Sequence, residues 1–146
     1  MNEFYFDASY LCKLRWAEIG SREVTALAAR ADVLVCSMHG RAEFYSIGHR
    51  KVREGLVTPG NLAIVFRQFN MDCASSALRL LPQTEAVIDR VEYVYLTAPA
   101  TTFLRAADAM HLACAAENGF TEVYSNDRHF LAAAPLFGLR GINVIP

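Results

Sequence analysis

Four carboxylates spaced along this chain could meet at one point and do metal chemistry: Asp7, Glu43, Asp108 and Asp127. Asp7 closes the aromatic run Glu3–Asp7 (EFYFD), and Asp127 follows the run Glu122–Ser125 (EVYS). Both runs read as strands, which puts both acids at strand carboxyl ends, where ligands bind in parallel α/β sheets. Asp108 shares a helical face with Leu104, His111, Leu112 and Ala115, a mostly apolar stripe that should face the sheet. An ionised carboxylate buried there is costly unless paired or metal-bound, and Asp is a poor residue for a helix interior. Glu43 lies in the helical pattern that follows Val33–Cys36 (VLVC). Crowded carboxylates repel, so such a group is stable only with cations present or protons retained. All-oxygen ligation suits Mg²⁺ or Mn²⁺ rather than zinc, and that geometry supports metal-assisted phosphodiester hydrolysis.

Each acid also has a plainer reading. Asp7 and Asp127 can be N-caps of the helices that follow them. Asp108 can pair with Arg105, three residues earlier, and Glu43 with Arg50. His111 reads as a satisfied core histidine rather than a ligand or base. Tyr5, Phe6, Phe44 and Tyr45 fit strand and helix patterns and read as core.

The elements that would position the acids alternate along the chain. Helical patterns cover Ala8–Glu18, Ser21–Arg30, Ser37–Arg53, Pro59–Asn70, Thr84–Leu96 and a segment from Thr101 or Thr102 to Asn118, closed by Gly119. A short helix is expected over Asp127–Ala134. Strands are expected at Glu3–Asp7, Val33–Cys36, Leu78–Leu81, Glu122–Ser125 and Ile142–Ile145. Short apolar strands alternating with helices indicate an α/β domain with a mainly parallel sheet covered on both faces.

The chain's 146 residues suit one domain, 1–146, with no repeat or linker visible. With 53% apolar and 20% charged residues it can bury a core without disulfides. Cys12, Cys36, Cys73 and Cys114 form no CxxC pair and are expected as free thiols of a reducing, cytoplasmic compartment. Met1–Asp7 lacks a basic leader region, and no apolar run suits a membrane span, so neither secretion nor a membrane partner is expected. A net charge of −1 argues against a generic nucleic-acid coat protein, although a local basic strip would suffice to hold one strand. No P-loop or dinucleotide-binding glycine pattern is present, and no organic cofactor is expected.

The acid-bearing blocks resemble those of the PIN-domain nucleases, especially the VapC-type toxins of bacterial toxin–antitoxin pairs. FDASYL (Phe6–Leu11) is similar to the first acidic block, with Ser9 two positions after Asp7. SMHGRAEFYSIGHRK (Ser37–Lys51) resembles the second, with Glu43 in the acidic position. LRAADAMHLACA (Leu104–Ala115) is the most specific match, and Ser125-Asn126-Asp127-Arg128 resembles the Thr/Ser-x-Asp block with Ser in place of the commoner Thr. The tail Phe137–Ile145 continues the similarity. The resemblance implies an α/β/α sandwich around a central, mainly parallel, short-stranded sheet. It implies a Mg²⁺- or Mn²⁺-dependent endoribonuclease, usually a homodimer, neutralised by a cognate antitoxin. Asp7 and Asp108 would be the main metal ligands, Asp127 and Glu43 would complete the site, and Ser9 and Ser125 would orient carboxylates or water.

An RNA substrate would also need basic residues for its flanking phosphates, and Arg41, Arg50 and Arg128 are the first choices from sequence. Leu11, Leu14, Trp16, Leu27 and Leu62 are expected to supply a groove for an antitoxin helix or a dimer face. Three other readings stand beside the toxin. One is a catalytically silent α/β binding module whose acids are caps and salt-bridge partners. Another is a PIN nuclease that processes RNA outside any toxin–antitoxin pair. A phosphatase with an aspartyl nucleophile is disfavoured, because position 9 holds Ser9 where an Asp-x-Asp pattern needs a second acid.

Overall fold

The computed structural model describes residues 1–146. Five short strands and seven α-helices follow in the order β1 (Glu3–Tyr5), α1 (Ala8–Lys13), α2 (Ser21–Ala28), β2 (Val33–Ser37), α3 (Met38–Arg53), α4 (Pro59–Ala74), β3 (Leu78–Leu81), α5 (Glu85–Thr97), α6 (Ala106–Glu117), β4 (Glu122–Tyr124), α7 (Arg128–Ala133) and β5 (Arg140–Ile142). All strand pairs are parallel: β1 with β2, β2 with β3, and β4 with β5. The two ribbons join through a parallel bridge between Phe6 and Tyr124 and the bond from Asp7 N to Tyr124 O, 3.1 Å. The carboxyl ends of β1 and β4 therefore lie side by side.

Strand pleating sends neighbouring residues to opposite faces, and the core divides accordingly. Tyr5, Val35 and Val123 face a cluster built from α5, α6 and α7, with Val87, Leu112 and Phe130. Phe6, Cys36 and Tyr124 face a second cluster built from α1, α2, α3 and α4, with Leu11, Phe44 and Phe69. The layers are helices, sheet, helices, as the sequence pattern implies. Phe44 is the centre of the second cluster. Its ring stacks on Phe69 with centroids 3.9 Å apart and on Trp16 at 5.3 Å.

Several boundaries differ from the sequence expectation. Thr101–Arg105 is not helical; α6 starts at Ala106, and Arg105 holds extended angles (φ −82°, ψ 146°) as its N-cap. Asp108 is thus in the first turn, where an acid is favoured by the unpaired amides and helix dipole, not in a helix interior. α1 ends at Lys13, and Trp16 already belongs to the connection, where Ser21 Oγ donates to its carbonyl. The last strand is Arg140–Ile142, while Asn143–Ile145 is fastened by Tyr10, whose hydroxyl donates to Asn143 Oδ1 and accepts from Val144 N, both at 2.8 Å. The apolar groove also differs: Leu11 and Leu27 are core residues, and Leu14 packs against that core. A groove of about 900 Å³ is lined by Trp16, Leu56, Val57, Pro59, Ile64 and Val65; of the five expected residues only Trp16 lines it, and Leu62 does not.

All four cysteines are free, with Cys12, Cys36 and Cys114 buried. Burial pushes the Cys12 thiol up to about 12 and that of Cys114 up to about 11, so neither is a ready nucleophile.

Phe44→Ala should destabilise the fold by about 3–5 kcal/mol, because it opens a hole between two stacked rings. Urea unfolding followed by tryptophan fluorescence measures this directly, since Trp16 is the sole tryptophan.

Candidate active site

Four different elements deliver the four acids to one cavity. Asp7 lies two residues after β1 and caps α1, its side chain accepting from Tyr10 N at 3.0 Å. Asp127 follows β4 and caps α7, accepting from His129 N at 2.8 Å and Phe130 N at 3.2 Å. Asp108 comes from the first turn of α6, and Glu43 from the second turn of α3. The cavity is about 220 Å³ and is lined by all four, together with Ser9, Ile47, Arg105, Ala107 and His111. The cap readings of Asp7 and Asp127 and the siting of both acids at the sheet edge are both correct, because each carboxylate has two oxygens and uses one on the helix.

Every acid is individually satisfied. Asp7, only 7% exposed, accepts from Ser9 Oγ at 2.7 Å through one oxygen and from Ser125 Oγ at 2.5 Å through the other. Ser125 Oγ in turn accepts from Asp127 N at 2.9 Å, so one hydroxyl ties the two capping acids together. Asp108 accepts from Arg105 Nε at 2.8 Å, and Asp127 from the same guanidinium at 2.7 Å. Glu43 takes its hydrogen bond from His111 Nε2, with His39 Nε2 at 3.8 Å. It does not pair with Arg50, which lies 4.0 Å from Glu54 instead.

These surroundings split the acids into two classes. Burial pushes the carboxyl of Asp7 above its ordinary range, against the opposing effect of its serine hydrogen bonds. Burial likewise raises Asp108, although Arg105 works against it. Burial acts upward on Glu43 too, but the His111 hydrogen bond and the nearby imidazoles and Arg105 outweigh it, and the carboxyl falls below its ordinary value. Asp127 also ends below, its burial outweighed by Arg105 and by the two backbone amides of α7.

The basic residues chosen from sequence fare differently. Arg41 points to Tyr45 and Asn70, at 2.9 and 3.2 Å, and Arg50 lies at the far end of α3; neither lines the cavity. Arg128 is exposed at the start of α7, next to Asp127. The cation inside the cavity is Arg105. The signal for it was its place three residues before Asp108, which also produces the pairing expected as the plainer reading.

The donor set fits a hard divalent cation, since four carboxylates offer only oxygen. A positive group already bridges two of them: the Arg105 guanidinium stands where a cation would neutralise Asp108 and Asp127. As the side chains stand, no three acids, cysteines or histidines are arranged to hold a metal ion.

A comparison with family models matches residues 4–135 to the PIN domain. The chain belongs to the PIN-domain family. Solved structures agree on the PIN fold at low identity. VapC20 from Mycobacterium tuberculosis, a sarcin–ricin-loop-cleaving toxin, is 17% identical with a TM-score of 0.69, over 89% of this chain and 94% of that one. FitAcB from Neisseria gonorrhoeae is 16% identical with a TM-score of 0.71, over 96% of each chain. VapBC from Salmonella typhimurium, solved bound to DNA, is 17% identical with a TM-score of 0.68, over 98% of each. No curated protein matches the chain in sequence.

In this PIN domain the raised acids make stability depend on pH in a defined direction. The folded state holds the Asp7 and Asp108 protons more tightly than the unfolded chain. Their contribution is therefore fully present at low pH and is lost as pH rises through the raised native range. Glu43 and Asp127 act oppositely, contributing above the ordinary carboxyl range and losing that contribution as pH falls. Asp7→Asn should stabilise the metal-free protein relative to wild type. The gain should grow by up to about 1.4 kcal/mol per pH unit across the Asp7 window. Thermal melts in EDTA at a series of pH values test this; a gain independent of pH would refute the buried-charge account.

Proposed function

We propose that the chain is a Mg²⁺- or Mn²⁺-dependent endoribonuclease and the toxin of a toxin–antitoxin pair. The observation that carries this reading is the convergence of Asp7, Glu43, Asp108 and Asp127, from four elements, on one cavity at the carboxyl edge of the sheet. The likeness in fold to VapC20, FitAcB and VapBC supports it. Asp7 and Asp108 are assigned as principal ligands, with Glu43 and Asp127 completing the set. A bound Mg²⁺ or Mn²⁺ supplies Lewis-acid stabilisation of charge developing on the phosphoryl group and makes water more acidic.

The chain's own groups do the positioning. Ser9 and Ser125 donate to Asp7 and fix which lone pairs it presents to the cavity. Ser125 also fixes Asp127 through its backbone amide. Arg105, once released from Asp108 and Asp127, is a half-exposed guanidinium at the cavity mouth, where it can grip a phosphate of the substrate. Arg128, beside Asp127, is the other residue placed to hold a flanking phosphate, whereas Arg41 and Arg50 do not line the cavity.

The antitoxin is assigned to the groove of about 900 Å³ lined by Trp16, Leu56, Val57, Pro59, Ile64 and Val65. Its apolar walls suit the face of an amphipathic helix, and the Lys51–Glu18 pair, 2.7 Å apart, adds a polar stretch to the lining. Ile88, Tyr93, Tyr95 and Leu96 on α5 are large exposed apolar residues and are assigned to a homodimer contact. No helix is long and apolar enough to cross a membrane.

Cleavage of total cellular RNA in Mn²⁺ or Mg²⁺, with an EDTA control, tests the activity. Asp7→Ala and Asp108→Asn should each lower the rate at least about a hundredfold, the size of effect seen when transition-state charge loses a stabilising group. A binding module would instead keep its function in Asp108→Asn. The metal reading makes a separate prediction for Arg105. Arg105→Ala removes the resident cation, so Mn²⁺ affinity measured by calorimetry should rise about tenfold, or about 1.4 kcal/mol. Unchanged affinity would show that the guanidinium does not compete for the carboxylates.

A further inference from the structure

One buried polar cluster lies directly beneath the cavity and belongs to no acid's capping arrangement. His111 is 2% exposed, and its Nδ1 lies 2.8 Å from Tyr5 Oη and 3.3 Å from Ser37 Oγ. Its Nε2 meets Glu43 Oε1. Tyr5 and Ser37 are fully buried. The ring is fixed in place by edge contacts with Tyr5 and Phe130, both at 6.0 Å, and with His39 at 5.5 Å. α3 lies over it at Gly40, where an added Cβ would stand 2.8 Å from His111 Cε1 and 2.3 Å from Cys36 Sγ. Glu43 follows Gly40 by one turn, so the glycine lets the helix come close enough for Glu43 to reach the imidazole.

The hydrogen-bond chain dictates where the protons sit. An ionised carboxylate only accepts, so the bond to Glu43 needs the hydrogen on Nε2. The hydroxyl of Tyr5 has His111 Nδ1 as its hydrogen-bond partner. A hydrogen on Nδ1 would deprive the buried Tyr5 hydroxyl of its 2.8 Å acceptor and leave only the more distant Ser37 hydroxyl, which is already engaged by Gly40 N. Ser37 Oγ already accepts from Gly40 N at 3.0 Å, which leaves its own hydrogen free to point at Nδ1 as well. Glu43 also needs this help more than the other acids. Asp7 and Asp127 are held by helix amides, and Asp108 has a short side chain in a first turn. Glu43 has three rotatable bonds, and its side chain meets only imidazoles.

We propose that His111 is a positioning residue: Tyr5 locks it as the Nε2–H tautomer, and it holds the Glu43 carboxylate at the cavity. The proposal rests on the reading of Glu43 as part of a metal site. Its proton arrangement is measured independently of any activity. Nitrogen-15 NMR of the histidine rings in the full-length, metal-free protein at pH 7.5 should show His111 protonated at Nε2 and bare at Nδ1. Tyr5→Phe should convert that single tautomer into a mixture. In Mn²⁺ titrations His111→Leu should bind about tenfold more weakly. His111→Gln, which restores an N–H near the Nε2 position, should recover most of that loss even if both variants melt at the same lowered temperature. A protonated Nδ1 in the wild type would overturn the proposal, as would wild-type Mn²⁺ affinity in a folded His111→Leu. A wild-type protein that binds no Mn²⁺ would defeat the metal reading instead, and the tautomer spectrum would still decide the His111 arrangement.

Discussion

Taking carboxylates out of water around one small cavity is the constraint to which the rest of this structure answers. Two of them, Asp7 and Asp108, are buried, and the low local dielectric raises the cost of their lost hydration. The fold therefore supplies each acid with its own compensation. Serine hydroxyls and a helix amide serve Asp7, a guanidinium serves Asp108, and an imidazole serves Glu43. Asp127 takes two helix amides and the same guanidinium. None of these partners saturates a carboxylate, since each acid accepts in several directions. The cavity is thus tolerable without a metal yet still offers oxygen lone pairs to one.

The topology makes that arrangement possible. β1 and β4 are distant in sequence but adjacent at their ends, through the Phe6–Tyr124 bridge. That adjacency places Ser125 against Asp7 and lets one hydroxyl couple two acids 120 residues apart in the numbering, 127 against 7. α6 and α3 then close the cavity from opposite sides of the sheet edge. Gly40 sets their approach, because any side chain there would drive α3 away from His111.

The layers and most of the elements were legible in the sequence because they rest on local signals. Apolar runs of three to five residues gave the strands, and Ser37, Thr58 and Thr84 accept from amides three residues on, as N-caps should. The start of α6 was not legible. Thr101–Arg105 carries no helix breaker, and the periodicity of Leu104 with Asp108 suggested one continuous helix. Arg105 instead holds extended angles as the N-cap of α6. The convergence of the four acids was readable from strand ends and helix faces. Their partners were only half readable: Arg105 lies close to Asp108 in sequence, whereas Tyr5, Ser37 and Glu43 reach His111 across separations of 68 to 106 residues. A histidine on an apolar face gives no hint of which polar groups fold onto it.

Two partnered cations, Lys13 outside the cavity and Arg105 inside it, differ in how easily they can leave. Lys13 is buried and holds Glu18 and the Ile19 carbonyl, at 3.1 and 2.8 Å, so moving it would strand a charge among apolar neighbours. Arg105 is 41% exposed on a non-helical residue. Its pair with Asp127 is the more exposed of the two, whereas the Asp108 side chain is only 12% exposed, so releasing that pair leaves a largely buried carboxylate in need of another cation. The released guanidinium itself is rehydrated at once. A divalent ion would replace a single, diffuse charge with a compact double one, held by carboxylates that their neighbours already orient. A cavity built this way keeps its acids partnered in the metal-free fold, and Arg105 is the partner that a bound cation would displace.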